Sequence, residues 1–481
     1  MSGPFETRIN SLELENFRLF KSLNIDFHPQ LTVLTAPNGG GKTTILDATA
    51  MLIAPFVQHL GRTVLEPRIA RNDLHNDGIG REVVVRDAQI WAKGNLGDEP
   101  TDLGLDPSGI ARSAGENPGW GWTAKLGPKG RLRTTMPNTP FAGTTYAALN
   151  SGALRDHFEG FVKGHRSAPP QLPVLAYYRT NRRFSATGPA RPGRKRSVTP
   201  LLNRLECYEG WSAVQGQFKG FENWFWRQAL ASEGHAELLG RTQAPAKAAV
   251  AVVNAAVAAV AAQCGVRRLY WDTDRWELFA ERVAGPDLPV RSLSDGAIAV
   301  LATVGDLAYR CVRLNPEAGE GALEQANGVV LIDEIDLHLH PAWQQTVVGS
   351  LRAAFPKIQF IVTTHSPQVL STVAAESIRI LDIDNGEGHA YQPARTPYGH
   401  ASSVALEAIQ GVGAYPPTKL LDTLREYQRL VGEDQHDSAR ALELREQLEQ
   451  AWGATDPEML RLDVGIRKNE VLRKLGRKGA P

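Results

Sequence analysis

The sequence predicts an α/β fold: a mixed sheet flanked by helices, with a helical or irregular insert and a helical tail at the carboxyl end. Three apolar runs indicate the sheet, at residues 31–34, at 329–332 and at the beginning of 358–370. Such runs, without polar alternation, are typical of strands buried on both faces of a parallel sheet. From residue 418 onward, apolar residues recur at helical spacing among dense charge, which predicts the tail.

Composition is that of an ordinary globular protein with room for two or three domains. Its 53 basic and 52 acidic residues give a net charge of +1, which neither requires nor excludes nucleic acid. The three cysteines (Cys207, Cys264 and Cys311) are far apart and odd in number, which argues against a disulfide framework or a zinc site. The first ten residues lack the pattern of a signal peptide, and the alanine-rich run 249–262 is too short for a membrane span. We expect a cytoplasmic protein in which that run is a buried or half-buried helix.

The amino-terminal region predicts a small β-unit followed by a helix. Strands are expected around residues 9–14, at 23–27 and at 31–34, and the helix at 43–53. Later in the chain, residues 268–271 and 276–279 predict a further pair of strands.

The middle of the chain predicts the insert. An alternating strand at 82–92 lies among glycine- and proline-rich loops within residues 54–170, and a buried strand is expected at 172–178. The run 179–196 holds seven arginines and lysines and no acid, which predicts either a solvated loop or a contact with a nucleic-acid backbone. The aromatic cluster within 207–230 indicates packing rather than base stacking.

Residues 36–44, APNGGGKTT, directly follow the first apolar run. A strand that enters a glycine-rich loop ending in Gly-Lys-Thr is the architecture of a phosphate-binding loop. Its glycines allow backbone N–H groups to surround a phosphate, Lys42 reaches the β- and γ-phosphates, and Thr43 places its hydroxyl on Mg²⁺. The usual first glycine is Ala36 here. The predicted nucleotide-binding residues of this loop are Asn38, Gly39, Gly40, Gly41, Lys42, Thr43 and Thr44.

Two carboxylates follow the strand at 329–332. Asp333 stands at the strand's carboxyl end, where a carboxylate can hold Mg²⁺ together with Thr43. The adjacent Glu334 can polarise an attacking water. Asp336 lies in the following turn.

Two further motifs complete the pattern. Ser294 and Gly296 precede an apolar helix expected at 297–314, and a helix start of this kind presents a hydroxyl and free N–H groups to an anion, although a plain N-cap is the simpler interpretation. His365 follows a buried strand at the edge where ligands of α/β proteins bind, and a histidine there can contact a γ-phosphate. The pair His338 and His340 indicates a metal only weakly, because no third ligand is evident.

In this order, the motifs resemble those of an ATP-binding-cassette (ABC) ATPase of the SMC, Rad50 and RecF class. Residues 36–43 match the Walker A loop, 293–296 the signature motif and 329–334 Walker B. The opening SLELENFRLFKSLNIDF also resembles the first strands of RecF-like heads. The signature reads LSDGA rather than LSGGQ, and the long heptad arms of true SMC proteins do not appear.

The resemblance implies an ABC-type ATPase head that binds ATP and Mg²⁺ and dimerises with ATP between two chains. Ser294 and Gly296 of one chain would then face the Walker residues of another. The implied catalytic residues are Lys42, Glu334 and His365, with Asp336 as the D-loop residue that touches nucleotide. The glutamine loop is not placed, and Gln89 is a candidate for it.

Three segments resemble a narrower group, the prokaryotic ATPases of anti-phage defence. They are LSDGAIAVLATVGDLAYR, IDEIDLHLHPAWQQ and FIVTTHSPQVLSTV, and they resemble the ATPase subunit of Septu-type systems, which also occurs beside some retrons. This implies a homodimer or higher oligomer, a partner nuclease of the HNH type and no membrane, and it leaves contact with DNA or RNA open.

The expected organisation is residues 1–60 as the first part of the head, 61–290 as the rest of the first lobe plus the insert, 291–400 as the second lobe and 401–481 as a tail for assembly or partner docking. The alternative is a RecF-like DNA-repair or chromosome-handling ATPase without a toxic effector. A nuclease of the overcoming-lysogenization-defect type would need a Toprim domain, for which the Asp382–Asp384 pair is insufficient. The irregular insert argues against a transporter subunit.

Overall fold

The computed structural model describes residues 7–59, 88–95, 119–126, 132–135, 171–180, 182, 204–212, 218–235, 242–413 and 415–474. The chain divides into two compact units, Met1–Gln410 and Gly411–Pro481. Most of the basic run 179–196 and the first part of the strand expected at 82–92 lie outside the described residues.

The described strands of the first unit form one large mixed sheet and one small antiparallel sheet. They are β1 (Arg8–Phe17), β2 (Phe20–Asp26), β3 (Leu31–Thr35), β4 (Ala88–Asn95), β5 (Gly119–Leu126), β6 (Leu132–Thr135), β7 (Val174–Tyr178), β8 (Val266–Asp272), β9 (Glu277–Arg282), β10 (Leu288–Pro289), β11 (Gly328–Ile332), β12 (Ile358–Thr363), β13 (Ile378–Asp384) and β14 (Glu387–Tyr391). The large sheet has the order β6-β5-β4-β1-β2-β14-β13-β3-β12-β11-β7, and β8 to β10 form the small one. In the large sheet, β13, β3, β12, β11 and β7 run parallel, whereas β1 pairs antiparallel with β2 and β4.

Helices accompany these strands and continue into the second unit. They are α1 (Lys42–His59), α2 (Phe218–Leu230), α3 (Gln243–Ala261), α4 (Asp295–Leu314), α5 (Ala322–Gln325), α6 (Pro341–Gln344), α7 (Val347–Ala354), α8 (Pro367–Leu370), α9 (Ser402–Ala408), α10 (Lys419–Gly432), α11 (Ala439–Trp452) and α12 (Pro457–Lys474). The predicted α/β class, with a mixed sheet, helices and a helical carboxyl-terminal region, is confirmed.

The parallel centre of the sheet is fully buried, since every residue of β3, β7, β11 and β12 is buried. Gln359 is a polar residue inside β12, and its amide satisfies both backbone groups of Ile9: its Oε1 accepts from the N–H and its Nε2 donates to the carbonyl, each at 2.8 Å. Parallel strands end at one edge of the sheet, so the residues that follow β3, β11 and β12 meet there.

The alanine-rich run lies in α3 and is half-buried, as expected. The expectation that this run is too short for a membrane span was wrong on length, because the helical segment 243–264 could cross a membrane by length and composition. However, Val253, Ala256 and Val257 are fully buried, and α3 contacts α2, α4 and α7. This burial is that of a helix in a protein core.

The aromatic cluster is core as well. Trp211 and Phe218 are 1% exposed, and Phe225 and Trp226 are fully buried. No face of these four rings is open to a base, so the packing interpretation is confirmed for them.

The second unit is a bundle of α10, α11 and α12. Its core contains Leu424, Tyr427, Leu444, Leu448 and Met459, all buried at helical spacing. This confirms the helical interpretation of the tail over the residues described here.

Candidate nucleotide site

The candidate site lies where β3 and β11 end. β3 runs into the loop 36–41 and α1, and β11 ends at Asp333. Although 290 positions separate them, Thr43 Oγ1 and Asp333 Oδ2 are 3.0 Å apart. The fold therefore brings the two predicted magnesium ligands together.

The glycines of the loop are required by its packing. Gly41 has φ +84°, and a Cβ there would lie 2.4 Å from the ring of the buried Phe20. A Cβ on Gly40 would lie 2.7 Å from the Cβ of Ala36. Ala36 at the usual first glycine is accommodated because Gly40 leaves space for its methyl group.

Lys42 begins α1 and folds back over the loop. Its Nζ donates to the carbonyl oxygens of Ala36 at 3.0 Å and Pro37 at 3.1 Å. Burial lowers the pKa of Lys42, while the carboxylates of Asp333 and Glu334 oppose that shift. A cation held over the loop, with backbone N–H groups beside it, is suited to a polyanion.

Asp333 is buried and held by two hydroxyl groups. Its Oδ1 accepts from Thr363 Oγ1 at 2.7 Å, and its Oδ2 accepts from Thr43 Oγ1. Hard oxygen donors fixed in this way suit Mg²⁺, which prefers a few carboxylate or hydroxyl oxygens beside water and phosphate. The residues present fit the metal that the loop implies.

Glu334 is half-buried and has φ +48°, an uncommon conformation for a residue with a Cβ. Its N–H donates to Thr363 Oγ1 at 2.7 Å, and its carbonyl oxygen accepts from Arg182 and from the N–H of Leu337, the latter at 2.9 Å. Three hydrogen bonds thus hold this backbone in a conformation that the side chain alone would disfavour.

Asp336 and His365 lie next to these residues. Asp336 Oδ1 accepts from Thr364 Oγ1 at 2.5 Å. Burial and the nearby Lys42 lower the pKa of His365, so its imidazole is neutral at pH 7. The carbonyl oxygen of His365 accepts from Gln410 Nε2 at 2.7 Å, which connects it to the end of the first unit.

The signature residues begin α4, and they differ in exposure. Ser294 is exposed and is the N-cap, accepting from the N–H of Ala297 at 3.4 Å. Gly296 is buried, and a Cβ there would lie 2.3 Å from the carbonyl oxygen of His338 in the same chain. Packing within this chain therefore favours glycine at position 296, independently of any contact with a partner's nucleotide.

The remaining predicted residues lie in different surroundings. Asn38 and Gly39 are exposed at the loop tip, whereas Thr44 is buried. Gln89 lies within β4, paired with Glu15, rather than in a loop. His340 Nδ1 accepts from the N–H of Ala342 as the cap of α6. Among the described residues no group of side chains is arranged for a metal other than the oxygen donors above.

Sequence reasoning missed a set of residues that support the site. Asp47 on α1 is buried; its Oδ1 accepts from the Tyr177 hydroxyl at 3.0 Å, and it pairs with Arg18 at 2.7 Å and Arg179 at 2.8 Å. The other residues that were missed are Thr363, Thr364 and Arg182. The doubled threonine before His365 and the Arg-x-x-Arg after β7 are visible in the sequence, but their roles depend on distant partners.

Comparison with known proteins finds family models, named proteins and a solved structure that are similar to this chain. A family described as "AAA domain, putative AbiEii toxin, Type IV TA system" matches residues 277–371, and one described as "AAA domain" matches residues 11–80. The retron Ec83 probable ATPase of Escherichia coli is 27% identical over 96% of this chain and 87% of its own length. The Septu protein PtuA of Bacillus mycoides is 49% identical over 15% of this chain and 10% of its own. The crystal structure of an Smc head bound to the C-winged helix domain of ScpA covers 80% of this chain and 97% of its own, at 16% identity and a TM-score of 0.44.

Proposed function

We propose that this chain is an ATPase of the SMC and RecF type, related to retron and Septu ATPases, that binds ATP between two copies of itself and thereby regulates a separate nuclease in anti-phage defence. The observation that carries the proposal is the convergence of Lys42, Thr43, Asp333 and Glu334 at one edge of the sheet. These residues supply the cation, the metal ligands and the base that hydrolysis of a nucleoside triphosphate needs.

Each residue has a role in this proposal. Lys42 and the loop N–H groups bind the β- and γ-phosphates. Asp333 and Thr43 would hold Mg²⁺, which would supply positive charge to offset that of the transferring phosphoryl group. Glu334 orients the attacking water and accepts its proton. His365, neutral at pH 7, contacts the γ-phosphate.

In this proposal, a second copy of the chain contacts the other side of the nucleotide. A triphosphate needs donors on more than one side, and the exposed Ser294 with the N–H groups at the start of α4 supplies a second set. In the proposed dimer, ATP joins Ser294 and Gly296 of one copy to the Walker residues of the other, and hydrolysis separates them.

The proposed partner rests on the sequence resemblance rather than on the geometry of the site. Three segments resemble the ATPase subunit of Septu-type systems, which implies a nuclease partner, and we propose that it is of the HNH type. A gene for such a nuclease beside this one would support the assignment. Repair genes there without a nuclease would favour the RecF-like alternative.

The test is the molecular mass in solution of the wild type and Glu334→Gln, each with and without Mg-ATP, with phosphate release followed in parallel. Gln keeps the shape of Glu and removes the base, so the variant should hydrolyse at least about 100-fold more slowly and accumulate an ATP-dependent dimer. Glu320→Gln, an exposed position outside the site, is the matched control. Normal hydrolysis by Glu334→Gln, or a mass that is the same with and without ATP, would contradict the proposal.

A further inference from the structure

Arg182 is a buried arginine at the same edge of the sheet, four positions beyond the end of β7. It is 5% exposed. Its Nη2 donates to the backbone carbonyl of Glu334, and its Nε is buried without a hydrogen-bond partner among the described residues. A guanidinium removed from water to this extent needs compensating negative charge.

The compensating charge comes from the acidic residues after β11. Burial lowers the pKa of Arg182 to about 10, and Asp333, Asp336 and Glu334 oppose that shift. Arg182 therefore stays charged at neutral pH, among the carboxylates that Mg²⁺ would also approach.

Asp333 and Glu334 depend on Arg182 to different extents, because they have different hydrogen-bond partners. Asp333 is held by the hydroxyls of Thr43 and Thr363, so its position does not need Arg182. The backbone of Glu334, at φ +48°, is held at its N–H by Thr363 and at its carbonyl oxygen by Arg182 and by the N–H of Leu337, at 2.9 Å. Loss of Arg182 should therefore leave that carbonyl with one of its two donors, loosen the residue that carries the base and leave the metal ligands in place.

We propose that Arg182 is a positioning residue: it fixes the peptide that carries the catalytic carboxylate of Glu334, and its charge weakens the binding of Mg²⁺ to the neighbouring carboxylates. The inference rests on the proposed role of Glu334. It assigns to the first part of the basic run 179–196 a role inside the ATPase centre, which neither the solvated-loop nor the nucleic-acid interpretation includes.

The test compares Arg182→Gln with the wild type in the full chain. We expect kcat to fall about 100-fold, because displacement of a catalytic group by about 1 Å has an effect of that size, with little change in KM for Mg-ATP. The Mg²⁺ concentration that gives half-maximal rate should fall about threefold or more, because a repelling cation is gone. A role in folding alone would not tighten Mg²⁺ binding.

Two variants serve as comparisons. Arg204→Gln removes another buried arginine, whose Nε donates to the carbonyl of Leu314 at 2.7 Å, and it should change neither kcat nor the Mg²⁺ dependence. Arg182→Lys keeps the charge on a different hydrogen-bonding group, so it should lower kcat and leave the Mg²⁺ dependence unchanged. If Arg182→Gln does not fold, Arg182→Lys still tests the proposal, because a wild-type kcat in that variant would overturn it.

The double variant Arg182→Gln with Glu334→Gln distinguishes this inference from the proposed function. If Arg182 acts through Glu334, the double variant should be no slower than Glu334→Gln alone. A further 100-fold loss, or equal behaviour of Arg182→Gln and Arg204→Gln, would overturn the role of Arg182 and leave that of Glu334 intact. Normal turnover by Glu334→Gln would instead reject the proposed base.

Discussion

Gly296→Ala tests whether the start of α4 and the loop after β11 have to pack as closely as the structure shows. The added Cβ would lie 2.3 Å from the carbonyl oxygen of His338 and 3.1 Å from its carbonyl carbon. An ordinary carbon–oxygen contact is about 3.3 Å or more, so the two segments must separate by about 1 Å. Because the opposing atom is backbone, no change of side-chain rotamer relieves the clash.

The displacement should reach the candidate nucleotide site at the end of β11. The N–H of Leu339 donates to the Asp336 carbonyl at 3.0 Å, and the carboxylate of Asp336 accepts from Thr364. A shift of about 1 Å in this loop should lower kcat roughly 10- to 100-fold. In stability, overpacking costs about 1–3 kcal/mol, of which the helix propensity of alanine returns about 1 kcal/mol.

The assay is steady-state phosphate release together with urea unfolding, and Gly349→Ala is the matched control. Gly349 lies within α7, and a Cβ there would have no heavy atom within 4 Å. The control should keep wild-type activity and gain up to about 1 kcal/mol of stability. If Gly296→Ala is as active and as stable as Gly349→Ala, the close packing of α4 on the loop is refuted.

Three further predictions follow from contacts in the first unit. Gly41→Ala should weaken Mg-ATP binding at least about tenfold more than Gly39→Ala, measured by calorimetry, because both have positive φ but only Gly41 faces the Phe20 ring; equal affinities would contradict this. Asp306→Asn should cost about 3–5 kcal/mol in urea unfolding, because it leaves the guanidinium of Arg310, 2.7 Å away and equally buried, without its counter-ion; a loss under about 1 kcal/mol would argue against the pair. His365 has a folded-state pKa below 6.5, so the unfolded chain takes up its proton first, and this contribution to stability is lost as pH falls below about 6.5. His365→Gln should therefore lose less unfolding free energy than the wild type between pH 7 and pH 5, and an equal loss would reject that pKa.

The local motifs could be predicted from the sequence because each is continuous in the chain. A buried strand, a glycine-rich loop and a helix start occupy residues 31–44 in one piece, and β11 followed by Asp333 is equally local. Placement of Thr43 near Asp333 needed only the rule that parallel strands end at one edge of a sheet. Element boundaries were less accurate, since α1 continues to His59 rather than ending near residue 53.

Other features could not be predicted because they depend on pairs of residues far apart in sequence. Gly296 looks like part of an anion-binding helix start, and only the fold shows that it also packs on His338. The basic run 179–196 has the composition of a surface loop, yet Arg182 is buried. Charge pattern alone favours exposure, and the acidic residues that make burial of Arg182 tolerable lie some 150 positions later.

The residues proposed for catalysis could all be named from local sequence: a phosphate-binding loop, a carboxylate for the metal, a base and a histidine, each at the end of a predicted strand or the start of a helix. How these groups are held became visible only in the folded chain. Thr363 forms hydrogen bonds with the carboxylate of Asp333 and the N–H of Glu334. Asp47 pairs with arginines from two separate segments, and Arg182 donates to the carbonyl oxygen of Glu334. The physical reason is that backbone periodicity and turn chemistry are local, whereas the partners of a buried charge are set by the packing of strands that are distant in the chain.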